Sequence, residues 1–218
     1  MPYRMGLFAL SIFIAFCILL AVLKGADDYT NQVYQHRISQ MKDTVKKEIN
    51  EATLREIEPI PFAWTPFPNH EIYGLYYSWL AYYGRDSYDS FNKLNSKSLE
   101  EFYLQQVTKP LDSQVVVYKA NQMWRSKYSH SDVLEQFHLA QKLGHFERLT
   151  LMESLNFYFA NWTLLTIRDK KVAVSYLLDH EKYAMKMWQY DSLLKKPVIG
   201  ERVCAVFSFN DISPYYCR

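Results

Sequence analysis

The chain carries no charge from Met5 to Leu23, MGLFALSIFIAFCILLAVL, and is polar-patterned nearly everywhere after it. As a helix this run reaches roughly 28 Å, the hydrocarbon thickness of a bilayer. It predicts a transmembrane anchor over residues 5–24 behind a short tail, 1–4. A cleavable leader fits less well, since its apolar region is about 7–15 residues and cleavage after Ala26 would put Lys24 where a small residue belongs. Acylation at Cys17 is disfavoured by Phe16 before it and by the apolar sequence that continues beyond it. Arg4 and the α-amine flank one end; Lys24, Asp27 and Asp28 flank the other. The slight positive-inside bias keeps the tail inside and sends the body out. The expected location is the inner cell membrane, crossed once, with the C-terminal body exported.

Residues 29–57 place Val33, Ile38, Met41, Val45, Ile49 and Ala52 three to five apart on an otherwise polar segment. This predicts a membrane-proximal stalk helix, kinked from the anchor at Gly25 and bearing one narrow apolar stripe. The period lies closer to 3.6 than to a heptad. That favours packing on the body, with pairing to a second copy as the alternative. Residues 58–69, EPIPFAWTPFPN, end the helix, because Pro59, Pro61, Pro66 and Pro68 impose extended geometry. Phe62, Trp64 and Phe67 on this connector either tuck against the body or are offered to an aromatic-lined groove on a partner.

The region 70–196 reads as a helical domain. His70 to Tyr83 has Ile72, Leu75, Tyr76, Trp79, Leu80 and Tyr83 at helical spacing, and Gly84 punctuates its end. A short helix or turn follows at 86–95. Ser98 and Glu101 then have the form of a capping box opening a helix that Pro110 closes. Gln114–Tyr118 has strand chemistry, but Val116, Ala120, Met123 and Trp124 keep helical spacing, so helix is expected there. Ser131 is the expected cap of a helix to Leu143. Leu151, Leu155, Tyr158, Trp162 and Leu165 step by four and three. Arg168–Lys170 is expected to turn, and Val172 to Met187 to return as a second helix, making an antiparallel hairpin. Pro197 should break that helix, and the alternating tail 197–218 should form a strand or hairpin. The expected fold is mainly α: one transmembrane helix, a stalk helix, an antiparallel helical array and a short β-like tail.

Composition narrows function by exclusion. Lys plus Arg is 25 against 23 acidic residues, with no basic run, so nucleic acid is not an expected partner. Aromatics make up 17 % of residues and Gly only 6 positions, which leans towards helices with large burial per residue. Of 3 cysteines, Cys17 lies in the anchor, leaving Cys204 and Cys217 as a natural disulfide in an oxidising compartment. Two free thiols are the alternative. Their spacing suits neither zinc nor a redox pair. The histidines are scattered without a metal-binding motif, and no nucleophile or phosphate-loop signature appears, so neither metal nor cofactor is expected. Asn161-Trp162-Thr163 matches the glycosylation pattern, but Trp162 falls on an apolar seam and the match is taken as chance.

The leading expectation is a non-enzymatic, single-pass scaffold or adaptor of a cell-envelope assembly, such as a secretion, conjugation or surface-polymer export machine. Its partners would be the bilayer through Met5–Leu23, other envelope proteins and, through the stalk, a second copy. The alternative is a module binding a glycan or other extended ligand through Trp64, Phe67, Tyr76, Trp79 and Tyr83. An envelope enzyme with a cleft around His138, His145 and Glu147 ranks third.

Overall fold

A computed structural model describes residues 2–46, 68–83 and 88–217, with side chains placed at 10–43, 68–83 and 88–217. The protein is mainly helical, and no strand occurs among the described residues. Its contacts divide it into two compact units, Met1–Gln105 and Gln106–Arg218. The connector 58–67, with Trp64 and Phe67, lies outside the described residues, as do the stalk beyond Lys46 and the stop at Gly84.

In the first unit, α1 (Pro2–Lys46) runs without interruption from the apolar stretch into the stalk. The expected kink at Gly25 is absent. A lone glycine leaves every backbone hydrogen bond available, and nothing lies within 4 Å of the space its side chain would fill. Among the described residues this is the one helix long and apolar enough to cross a membrane, its most apolar window having a mean hydropathy of 2.1.

Past the apolar stretch, Asp27, Tyr34, Ile38 and Met41 turn inward. They face α2 (His70–Tyr83), whose buried residues include Ile72, Tyr73 and Tyr76. Tyr34 lies 4.7 Å from the Tyr73 ring and 4.9 Å from the Tyr76 ring. Further along, Lys42 sits 5.9 Å over Trp79, and the Tyr83 hydroxyl donates to the Met41 carbonyl. The two helices therefore run in the same direction, and α2 starts at the end of the seam nearer the apolar stretch. At Ile38 and Met41 the stalk stripe is covered by α2; the side chains of Val45, Ile49 and Ala52 lie outside the described residues. A third helix, α3 (Tyr88–Thr108), meets α2 where the Phe102 ring packs on Gly74, at which a Cβ would stand 2.6 Å from the ring.

Ser98 lies inside α3 rather than at its start. Its hydroxyl donates to the Gly74 carbonyl at 2.7 Å, and one helix replaces the expected turn and capped helix. The capping-box spacing recurs within helices by chance; burial of Asn95, Ser98, Phe102 and Gln105 on one face decides in favour of continuity.

Asp27 is 1 % exposed, yet among the described residues neither of its carboxylate oxygens has a hydrogen-bond partner, and the buried Tyr73 and Tyr76 hydroxyls have none either. An unpartnered buried polar group is destabilising by about 1–3 kcal/mol. Asp27→Leu should therefore raise the thermal midpoint of the full chain in detergent. An unchanged or lowered midpoint would show that the carboxylate is satisfied in solution.

The second unit is built on α4 (Ser113–Arg125), α5 (His130–Leu143) and α6 (Arg148–Ala160). The strand-like QVVVY segment is helical because Asp112 caps α4, accepting from the Gln114 and Val115 amides, and all three valines are buried. Ser129, two residues earlier than expected, caps α5 through the Asp132 amide. Ser113 meets Gly144 at one end of α4 and α5, and Val116 and Val117 pack with Ala140 further along. Phe157 of α6 stacks on Phe137 at 4.6 Å and His130 at 5.4 Å and takes the Trp124 ring edge-on at 5.2 Å, so one side chain joins three helices. Gln141 donates to the buried Tyr158 oxygen at 2.6 Å, and burial pushes the Tyr158 hydroxyl pKa upward.

The chain then departs from its expected course twice. Arg168–Lys170 is the first turn of α7 (Ile167–Leu178), capped by Thr166, rather than a turn between helices. That helix ends at Leu178. Tyr183 is buried as expected, but on irregular chain in which Ala184 is exposed with a φ of 50° and Met185, two residues on from Tyr183, is buried.

After the short α8 (Asp191–Leu194), the supposed strand is a helix, α9 (Pro197–Phe209). Pro197 begins it, where its missing N–H is no loss. Ile199, Val203 and Phe207, each four apart, are its buried row, so the apparent alternation of the tail was misleading. Cys204 and Cys217 are disulfide-bonded, with Cα atoms 5.4 Å apart, tying the final turn Tyr215–Cys217 back to α9.

Candidate functional site

The sequence-selected aromatics of α2 are committed internally. Tyr76 is 1 % exposed in the seam with Tyr34, Trp79 is partly covered beneath Lys42, and Tyr83 is bonded to Met41. The proposed histidine cleft divides as well. His138 Nε2 lies 2.8 Å from Asp169 Oδ1, whereas the His145 ring rests among Phe146, Tyr176 and Tyr183. Burial would raise the Asp169 pKa, but hydrogen bonds from Thr166 and His138 outweigh it and hold the carboxyl below its usual range. This pair joins the start of α7 to α5, a structural use of both groups.

An exposed apolar surface of the second unit lies elsewhere, between α7 and α9. Helix α6 ends at Asn161, and the chain makes a single 3-10 turn, Trp162–Leu164, before Thr166 starts α7. That turn swings Trp162 flat against Phe159, with centroids 5.0 Å apart, and Lys170 covers its ring at 5.5 Å. Helix α7 buries Ala173, Tyr176 and Leu177, which leaves Val174 and Leu178 on its outer side. Helix α9 buries its 199–203–207 row, which turns Arg202, Val206 and Phe209 towards the same region.

Two adjoining recesses result. One of about 530 Å³ is lined by Trp162, Val174, Leu178, Arg202, Val206 and Phe209. A neighbour of about 440 Å³ shares Trp162, Val174 and Leu178 and extends to Ile167, Lys170 and Lys171. Phe209 is 90 % exposed and Ile167 71 %, and both lie on this one contiguous apolar surface.

The rim is cationic. Lys170, Lys171 and Arg202 line the recesses against one carboxylate, Asp179. Arg202 donates to the Phe159 and Ala160 carbonyls, so it also holds positive charge at the C-terminal end of α6, where the helix dipole favours it. An apolar floor between two helices with charge along its edge is the geometry that receives an amphipathic helix. Sequence reading missed this site because Trp162 was assigned to a buried seam and Phe209 to a strand. The available signal was the 202–206–209 spacing in the tail, which is helical once Pro197 is taken as a beginning. Searches of known protein families, curated proteins and solved structures find no match to this chain.

Proposed function

We propose that the protein is a single-pass, membrane-anchored helical adaptor of a cell-envelope assembly, working by protein–protein contact rather than catalysis. The observation that carries this reading is the solvent-facing apolar groove between α7 and α9, with Phe209 at its mouth. Its occupant is an amphipathic helix of another envelope protein, with an apolar row for the floor and carboxylates for Lys170, Lys171 and Arg202. The anchor at Met5–Leu23 holds the body at the bilayer. The disulfide supports an exported body, since such bonds persist in oxidising compartments. We read α4, α5 and α6 as an up-down-up antiparallel array that gives the groove a rigid backing.

The test is photocrosslinking in the native cells from a benzoylphenylalanine placed at Phe209, with one at exposed Lys142 as the control. The reading requires an adduct from position 209 alone. Its crosslinked peptide should be an acidic amphipathic segment, and it should vanish with Lys170→Glu plus Lys171→Glu. A second copy of this chain, a lipid adduct or an adduct indifferent to charge reversal would each overturn it.

A further inference from the structure

A separate recess of about 580 Å³ opens on the second unit, where the start of α6 meets the 3-10 turn Met187–Tyr190 and α8. Leu149 and Met152 contribute apolar lining; Arg148, Trp188, Asp191 and Ser192 add aromatic and polar groups. Two further lining residues are already occupied. Gln189 accepts from the Lys186 amide, and Lys195 sits 4.7 Å over the Tyr216 ring. By contrast, the side chains of Arg148, Trp188 and Ser192 make no hydrogen bond, ion pair or ring contact among the described residues. Trp188 is 63 % exposed, although an indole ring is among the most favourable side chains to bury.

We propose that this recess binds a carboxylated sugar ring, such as a uronate unit of an acidic polysaccharide. The Trp188 face offers a flat apolar platform for the C–H face of a pyranose, and Leu149 and Met152 extend it. The Arg148 guanidinium presents a planar fork matched to a carboxylate. Asp191 and Ser192 accept from ring hydroxyls. Asp191 suits a polyol that donates hydrogen bonds, with the ligand's own carboxylate held away from it at Arg148. A pocket of mostly apolar lining with a few convergent polar groups is the usual form of a small-ligand site, and this volume lies within its range of about 300–1,000 Å³. This site is independent of the groove between α7 and α9, and neither proposal needs the other.

The experiment is calorimetric titration of the full chain in lipid nanodiscs with trigalacturonate and, separately, with galactotriose, its uncharged counterpart. Trigalacturonate is expected to bind more tightly than galactotriose. Trp188→Ala should weaken both sugars by about tenfold, the scale of one lost aromatic contact. Arg148→Gln should abolish the preference for the acidic sugar while leaving galactotriose binding as it was. Both side chains lie at the surface, and an unchanged thermal midpoint verifies folding. Inorganic phosphate should not displace the sugar; displacement would make the recess a plain anion site. Failure of both sugars to bind, binding indifferent to Trp188→Ala, or an acid preference that survives Arg148→Gln would also overturn the proposal.

Discussion

Phe157→Ala is expected to destabilise the second unit by about 3–5 kcal/mol, the range for deleting a fully buried aromatic ring. Phe157 has no exposed surface, and its ring is the meeting point of Phe137, His130 and Trp124. Removing it opens a cavity that α4, α5 and α6 cannot all close on, since each is held by other contacts, such as Ser113 against Gly144 and Gln141 against Tyr158. For a unit of this size the thermal midpoint should fall by about 10–20 °C. Phe157→Leu keeps most of the volume and should lose less than about 1.5 kcal/mol. Melting of the full chain followed by near-ultraviolet circular dichroism checks both. Equal losses for the two variants would mean that the ring stacking, not the filled volume, carries the stability.

Removal of the Cys204–Cys217 bond should have the next largest effect. Its partners are 13 residues apart, and a loop of about that length gives a stabilisation near 3 kcal/mol in the chain-entropy account. The bond holds the last turn where Tyr216 meets Lys195. Denaturation of the wild type with and without reductant should show this loss. The double variant Cys204→Ser, Cys217→Ser should start from the lower value and ignore reductant. In intact cells, an impermeant thiol reagent should label these cysteines only after mild reduction, as an exported body requires. Labelling only after lysis would place the body in the cytoplasm.

Helical class, the uncharged membrane-length stretch and the cysteine pairing were legible in the sequence, the first two because each depends on local chemistry. An apolar run needs only its length and helix preference only the composition and spacing of short windows, while two cysteines outside the apolar run leave one possible pair, which tertiary packing then brought to a Cα distance of 5.4 Å. Capping signals were legible to within two residues at Ser129, where a side chain reaches its own backbone. Tertiary packing decided what spacing left open. A row of burial every fourth residue belongs to a helix in α9, whereas Tyr183 and Met185 are buried two residues apart on irregular chain, because burial follows the neighbours and not the backbone conformation. It covered Tyr76 by placing α2 on the stalk, and it left Trp162, Trp188 and Phe209 on surfaces that no local window marks as exposed. Whether an aromatic residue is core or contact depends on which distant helix comes to cover it, and that information is not local to any stretch of the chain.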